Sequence, residues 1–183
     1  MLIGIDSSVE MINTANNNRR NHTNKRVKFF KMSGSDLEFP NEFFDVILAR
    51  HSIINAREIN KCLKTGGYFF SEDIDEDDCK ELKQIFGRGQ GFSVKEKLIT
   101  RYKNNLSKYG FDFDIYPIVQ DEYYKTEDDI LFLLSNTPII PNFGKKTDDY
   151  IKLKKYINDN TTEKGIHLKR RLFGIKAIKK IRR

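Results

Sequence analysis

The sequence predicts an α/β fold with a largely parallel sheet, and three observations carry that expectation. Short apolar runs suited to strands alternate with segments of helical periodicity from residue 2 onward. The run FFDVILA at 43–49 is almost continuously apolar, the pattern of a parallel strand covered on both faces, which places it in the middle of a sheet. The chain has 183 residues, 38% of them apolar. A chain of that size buries roughly 70% of its unfolded surface and needs no disulfide or metal to hold a core. A single domain over residues 1–183 is expected, with a helical insertion near 120–165.

The elements follow in order. LIGI at 2–5 is a short strand ending at Asp6, and Ser7-x-x-Glu10 is a capping box for a helix carrying Val9, Ile12 and Ala15. The polar stretch NNNRRNHTNKR ends that helix, VKFFK at 27–31 is a second strand, and SGSDLEFPNE is a loop. After the apolar strand at 43–49, INAREINKCL is a short amphipathic helix leading to a turn at Thr65-Gly66-Gly67 and the strand YFF. Asp75 to Phe86 places Cys79, Leu82 and Phe86 at helical spacing behind an acidic first turn, which suits the positive end of a helix dipole. Ser93-x-x-Glu96 caps a helix with Leu98, Tyr102 and Leu106 on one side, ending at Gly110. FDFDI alternates as a strand should. Thr126 to Leu134 and Thr147 to Ile157 are helices, and RLFGIKAI is the last strand.

Composition excludes several classes of function. Cys62 and Cys79 form no CxxC, and His22, His51 and His167 are scattered, so neither a disulfide framework nor a zinc site is expected. The acidic run EDIDEDDCKE reads as a solvated helix start before it reads as a metal site. No apolar stretch approaches the ~18 residues of a membrane span, and the first residues lack the features of a secretory leader, so a reduced, cytoplasmic protein is expected. The formal charge is +7, from 33 Lys plus Arg against 26 Asp plus Glu. Residues 164–183 hold nine of the bases and no acid, so the basic character belongs to a tail, read here as a solvated sheet edge and terminus.

Ligands of parallel sheets bind beyond the carboxyl ends of the strands. Three stretches there, GIDSSVEMINTA, SGSDLEFPNEFFDVILARHS and EINKCLKTGGYFF, resemble the class I S-adenosylmethionine-dependent methyltransferases in their order and spacing. In that family an acidic residue ends the second strand, a D-x-x-x-LPF-x-x-x-x-FD loop precedes the fourth and LKPGG precedes the fifth. The resemblance implies a Rossmann-like, mostly parallel sheet with a terminal antiparallel strand. It also implies S-adenosylmethionine as cofactor and methyl transfer to an acceptor it does not identify. By this resemblance Asp6 would accept hydrogen bonds from the ribose hydroxyls, Ser7 would lie along the adenine, and Ser33 with Gly34 would meet the adenine edge. Ser33 stands where the family commonly has Asp. Ala49, Arg50 and Ser52 would face the methionine moiety and the acceptor, and His51 either approaches the acceptor or packs at the surface. A sulfonium methyl is already activated, so no dedicated acid or base is required and no catalytic residue is assigned.

The family's glycine-rich loop after its first strand has no match. Gly87-Arg88-Gly89-Gln90-Gly91 follows a helix, not a strand, and reads as a connection. The sequence starts inside what matches the second strand, so the expectation is a sheet missing its first strand and helix, truncated at the amino terminus. Two apolar strand edges would then lack a partner and be open to completion or pairing. Two alternatives stand beside the enzyme: a non-catalytic fragment or pseudoenzyme of the family, and an RNA-binding module using the basic tail. The acceptor would be chosen by the insertion, with Tyr123, Tyr124, Phe132 and Phe143 as candidate wall residues.

Overall fold

The computed structural model describes residues 1–20, 26–92 and 96–181. Its first elements are β1 (Leu2–Asp6), α1 (Val9–Arg20) and β2 (Val27–Lys31), with β1 and β2 paired in parallel from Leu2 opposite Val27 to Asp6 opposite Lys31. The cap of α1 is Ser8 rather than Ser7: its hydroxyl accepts from the Met11 N–H at 3.2 Å and donates to Glu10 at 2.8 Å. The strand runs one residue further than the apolar pattern indicates, to Asp6, and the cap moves with it. Ile12, Ala15 and Arg19 line the half-buried face of α1, yet no residue of this helix is fully buried.

Next come β3 (Phe44–Arg50), α2 (Ala56–Cys62) and β4 (Leu63–Ile74). Asn55 caps α2 by accepting from the N–H groups of Arg57 and Glu58. Thr65-Gly66-Gly67 is not a turn ahead of the strand but lies within β4. Gly66 takes φ +77°, and a Cβ on Gly67 would stand 2.9 Å from the Asp45 carbonyl oxygen. The two glycines therefore kink the strand and let the neighbouring backbone approach it. The chain continues through α3 (Lys80–Phe86), α4 (Leu98–Lys108), β5 (Phe111–Tyr124), α5 (Glu127–Asn136), α6 (Asp149–Asn160), β6 (Thr161–Thr162) and β7 (Gly165–Lys179). The acidic residues 75–78 form turns before α3 rather than its first turn. Ser93 lies outside the described residues; at the amino end of α4 the Glu76 carboxylate accepts from the Leu98 N–H at 2.7 Å. FDFDI and RLFGIKAI are segments of the longer β5 and β7, so the helices of the insertion begin at residue 127.

The strands form two sheets, β1-β2 and β3-β4-β7-β5, with β6 attached to β7. Phe43 donates to the Cys62 carbonyl at 2.8 Å, just ahead of β3 and β4, so those strands start side by side and run parallel. β7 runs the other way: Asp75, just past the end of β4, bonds to Arg171 in mid-strand, and Lys180, just past the end of β7, bonds to Gly110, just before β5. The result is a mixed α/β architecture with a mostly parallel sheet and an antiparallel strand. Two expectations change. β3 is the last strand of its sheet rather than a central one, with Val46 48% and Leu48 71% exposed. β7 is no sheet edge; it lies between β4 and β5.

By internal contacts the chain divides into two compact units, one of Met1–Ser71, Tyr102–Asp114 and Ile175–Arg183, the other of Glu72–Arg101 and Ile115–Gly174. The first is built around Ile59, Cys62, Leu63, Phe69, Leu106 and Phe111, and among its described residues the first buried one is Leu37. The second packs Cys79, Leu82 and Phe86 of the α3 region against Ile130, Leu134, Leu153 and Tyr156 of α5 and α6. Burial pushes the Cys79 thiol up to about 12, so it packs as a neutral apolar group. Among the described residues no helix is long and apolar enough to cross a membrane.

Candidate functional site

The carboxyl ends of β1, β2 and β3 all belong to the first unit, and the loops that follow them are tied together. The Met32 N–H donates to the Asp6 carbonyl at 3.0 Å, which carries the pairing of β1 and β2 one step past β2. Beyond it, Ser33 organises its own turn. Its hydroxyl contacts that of Ser35 at 2.7 Å and accepts from the Ser35 N–H, while its carbonyl accepts from Asp36. A Cβ on Gly34 would come 2.9 Å from the Ile53 carbonyl oxygen. Only glycine lets the loop after β2 press so closely on the loop after β3. The Asn55 side chain completes the tie by donating to the Ser35 carbonyl at 2.8 Å.

Asp6 sits at the tip of β1, half-buried. One carboxylate oxygen accepts from the Ser8 N–H at 2.8 Å, the local turn that Asp commonly makes before a helix. The other oxygen accepts from no described residue. A carboxylate has about four acceptor positions, so the turn leaves room for a pair of hydroxyls. Ser7 is exposed beside it, freed because Ser8 is the cap. Asp6, Ser33 and Gly34 are thus brought together at the end of the β1-β2 sheet. Ala49, half-buried, and Arg50, exposed, end β3, which belongs to the other sheet. His51 follows with φ +47°, a left-handed conformation uncommon for a residue with a Cβ.

Two contributors were not read from the sequence. Asn55 is one, although an Asn directly before an amphipathic run is a preferred helix cap and could have been flagged. Ser8 is the other; it shares one carboxylate oxygen of Asp6 and caps α1. The loop residues Leu37 and Phe39 have structural work instead. Leu37 is buried and donates its N–H to Glu58, and Phe39 meets Phe44 edge-on with ring centroids 4.9 Å apart. Asp45 is exposed and paired to Lys64 at 2.7 Å. Of the candidate wall residues, Tyr124 and Phe143 pack against the core of the second unit, whereas Phe132 is 72% exposed and Tyr123 lies against His167. The described residues contain no cluster of three metal-ligating side chains. The acidic run is less solvated than expected, because Asp78 is buried and paired with Arg170.

Residues 1–129 match a methyltransferase domain family. No curated protein matches the chain in sequence. Among solved structures it is similar to the YcgJ protein of Bacillus subtilis, at 18% identity and a TM-score of 0.66, covering 98% of this chain and 82% of that one. It is also similar to a SAM-dependent methyltransferase of Methanosarcina mazei, at 15% identity and TM-score 0.53, covering 98% and 82%. The cyclase SpnF is a third, at 16% identity and TM-score 0.58, covering 98% and 67%. At these identities the structural likeness shows the shared fold alone.

Proposed function

The chain belongs to a methyltransferase domain family, and from that membership we propose that it takes S-adenosylmethionine at the carboxyl ends of β1, β2 and β3 and serves methyl transfer to an acceptor. The observation that carries the reading is Asp6: a carboxylic side chain at a strand tip, half-exposed, with one oxygen left over by the local turn. A ribose presents two adjacent hydroxyl donors, and hydrogen bonds from hydroxyls to a carboxylate are among the strong ones. Ser7 and the turn at Ser33 and Gly34 flank that carboxylate on the side where the nucleoside base would lie. Ala49 and Arg50 would face the methionine moiety and the acceptor from β3.

The bound cofactor supplies a methyl already activated on a sulfonium, so the protein's part is to hold donor and acceptor in line rather than to provide an acid or base. Asp6 fixes the ribose. The Gly34 contact and the Asn55 bond hold the loop after β2 against the loop after β3, so that the groups on the two loops keep a constant spacing. His51, turned out by its left-handed backbone, would stand on the acceptor side. Cytoplasmic location belongs to the same proposal. The basic tail lends less support to an RNA partner than its composition suggested. Arg170, Arg171 and Lys179 are matched with Asp78, Glu81 and Glu42, so these charges are neutralised within the protein.

Titration calorimetry with S-adenosylhomocysteine tests the reading. Binding weaker than micromolar is expected of the 183-residue chain, because the family's glycine loop has no counterpart among its residues. Asp6→Ala should weaken binding further by at least about tenfold, the loss of a charged hydrogen-bond acceptor. Binding that Asp6→Ala leaves unchanged would remove the ribose role from this residue.

A further inference from the structure

The exposed side of α6 in the second unit carries an inference about a partner. From Gly144 to Lys155 the chain holds five lysines and two aspartates. Both aspartates are already matched, Asp148 with Lys152 at 2.8 Å and the buried Asp149 with Arg88 at 2.7 Å. Lys145, Lys146, Lys154 and Lys155 are exposed, and none of them forms an ion pair with a described residue. Among them stand two apolar side chains in water, Tyr150 at 58% and Ile151 at 73% exposure. Asp149, Leu153 and Tyr156 turn to the core, so Tyr150, Ile151, Lys154 and Lys155 share the solvent side of the helix. Lys154 lies one turn, about 6 Å along the axis, beyond Tyr150, and Lys155 the same beyond Ile151. The surface is held in place. Asp149, anchored by Arg88, accepts from the Gly144 N–H at 2.8 Å and the Lys146 N–H at 3.3 Å, which fixes the loop carrying Lys145 and Lys146 to the start of α6. Gly144 takes φ +82°, and a Cβ there would come 3.3 Å from the Tyr150 hydroxyl oxygen. The Phe143 ring backs that of Tyr150 at 5.6 Å between centroids, and Phe143 in turn meets the buried Phe86 at 5.9 Å.

We propose that this side of α6, with the loop 144–146, binds single-stranded nucleic acid, the four lysines meeting phosphates and Tyr150 stacking on an unpaired base. Charge selects a polyanion: the protein offers these ammonium groups no acid of their own, and a phosphate chain supplies one negative charge per nucleotide. The ring selects among polyanions. Stacking on a fixed aromatic side chain needs a base that is free of its own stack, and every base has such a face. A ring already oriented by Phe143 and Gly144 loses little freedom when the base arrives. Ile151 extends the apolar surface beside it. An anionic bilayer fits less well, because one Tyr–Ile pair offers little area to insert and the other large apolar side chains of α6, Leu153 and Tyr156, are committed to the core. The basic tail fits less well too, since Arg170, Arg171 and Lys179 are matched with acids. The proposal goes beyond the cofactor reading and does not depend on Asp6.

Fluorescence anisotropy of the 183-residue chain with a labelled oligouridylate of about twelve nucleotides tests it. Affinity should fall with salt at a log–log slope of about −3, the counterion release expected for four lysines on a single strand. Lys154→Gln with Lys155→Gln should roughly halve that slope. Lys176→Gln with Lys180→Gln, two exposed lysines of the tail, should leave it unchanged. Tyr150→Ala should weaken binding by about tenfold with the slope unaltered, and Tyr150→Phe should keep it. The replaced side chains are all exposed, and thermal unfolding of each variant verifies that the fold is retained. Absence of salt-dependent binding overturns the proposal, as does Tyr150→Ala binding like the parent chain. A slope lowered as much by the Lys176 and Lys180 pair also overturns it, by moving the contact to the tail. So does cosedimentation with phosphatidylserine vesicles when the oligonucleotide is not bound.

Discussion

Replacing Asp78 by Ala should cost the second unit about 3–5 kcal/mol, the range for removing one partner of a buried ion pair. The side chain is 1% exposed. It accepts from the Arg170 Nε at 3.0 Å and from the Arg171 N–H at 2.7 Å, so truncation strands a guanidinium and orphans a backbone donor together. Arg170 is itself only 15% exposed, and its remaining acid, Glu122, lies 3.3 Å away and is about one-third exposed. That second partner puts the expected loss toward the lower figure, about 3 kcal/mol. For a chain of this size the melting temperature should fall by on the order of 10 °C. Urea unfolding followed by circular dichroism measures the loss, and amide exchange at Leu168 and Ile130 locates it in the second unit. Asp78→Asn keeps an acceptor for the Arg171 N–H and should lose less. Asp78→Leu with Arg170→Met removes both charges and should recover part of the stability, though not the bond to Arg171. A loss below about 1 kcal/mol in Asp78→Ala would refute the argument that this pair is desolvated and mutually dependent.

Two further outcomes are expected. Burial of Asp149 opposes its ionisation, but the Arg88 guanidinium and the N–H groups of Lys146 and Gly144 outweigh it and hold the carboxyl below the ordinary value of 3.8. Its contribution is therefore complete above that value and disappears as pH falls through the lower folded value. The acid limb of an unfolding titration should flatten in Asp149→Asn, and an unaltered limb would count against the pairing. Gly34→Ala would force a Cβ to 2.9 Å from the Ile53 carbonyl oxygen and should destabilise the first unit by about 1–3 kcal/mol, read as faster exchange at the Asn55 and Glu58 amides.

How much of this was legible in the sequence depended on the range of the interactions. Local signals held well. VKFFK is β2, Leu82 and Phe86 lie on the helix α3 as their spacing predicts, with Cys79 just before it, and Thr126 caps α5 with a capping box completed by Asp129. The misreadings came from tertiary context. A glycine pair reads as a turn, but β3 beside β4 holds Gly66 and Gly67 in an extended, kinked strand. A continuous apolar run reads as a covered strand, but coverage depends on a neighbour that periodicity cannot report, and β3 has one on a single side. At the candidate site Asp6 was legible only through the family resemblance, in which an acidic residue ends the matching strand; by itself an Asp at a strand-to-helix turn is more often a local cap. Asn55 is legible as the cap of α2, but its second bond, to the Ser35 carbonyl twenty residues back, has no local signature.

The basic tail shows how the same residues change meaning once placed. As composition, the tail is a run of nine charges that invites an anionic partner. In the structure residues 165–179 of it are β7, flanked by strands on both sides, and Arg170, Arg171 and Lys179 have particular acidic neighbours. Lys179 is 8% exposed and donates to the carbonyls of Asn60 and Leu63 at 2.8 Å, at the carboxyl end of α2, where a positive charge meets the negative end of the helix dipole. Glu42, near the start of β3, is held below the usual carboxylate range by the Thr65 hydroxyl and then by that same ammonium. The lysine thus ties α2, the start of β4 and the approach to β3, the strand whose carboxyl end carries Ala49 and Arg50. One residue of the charge excess thus works as a tie within the protein, at the amino ends of β3 and β4.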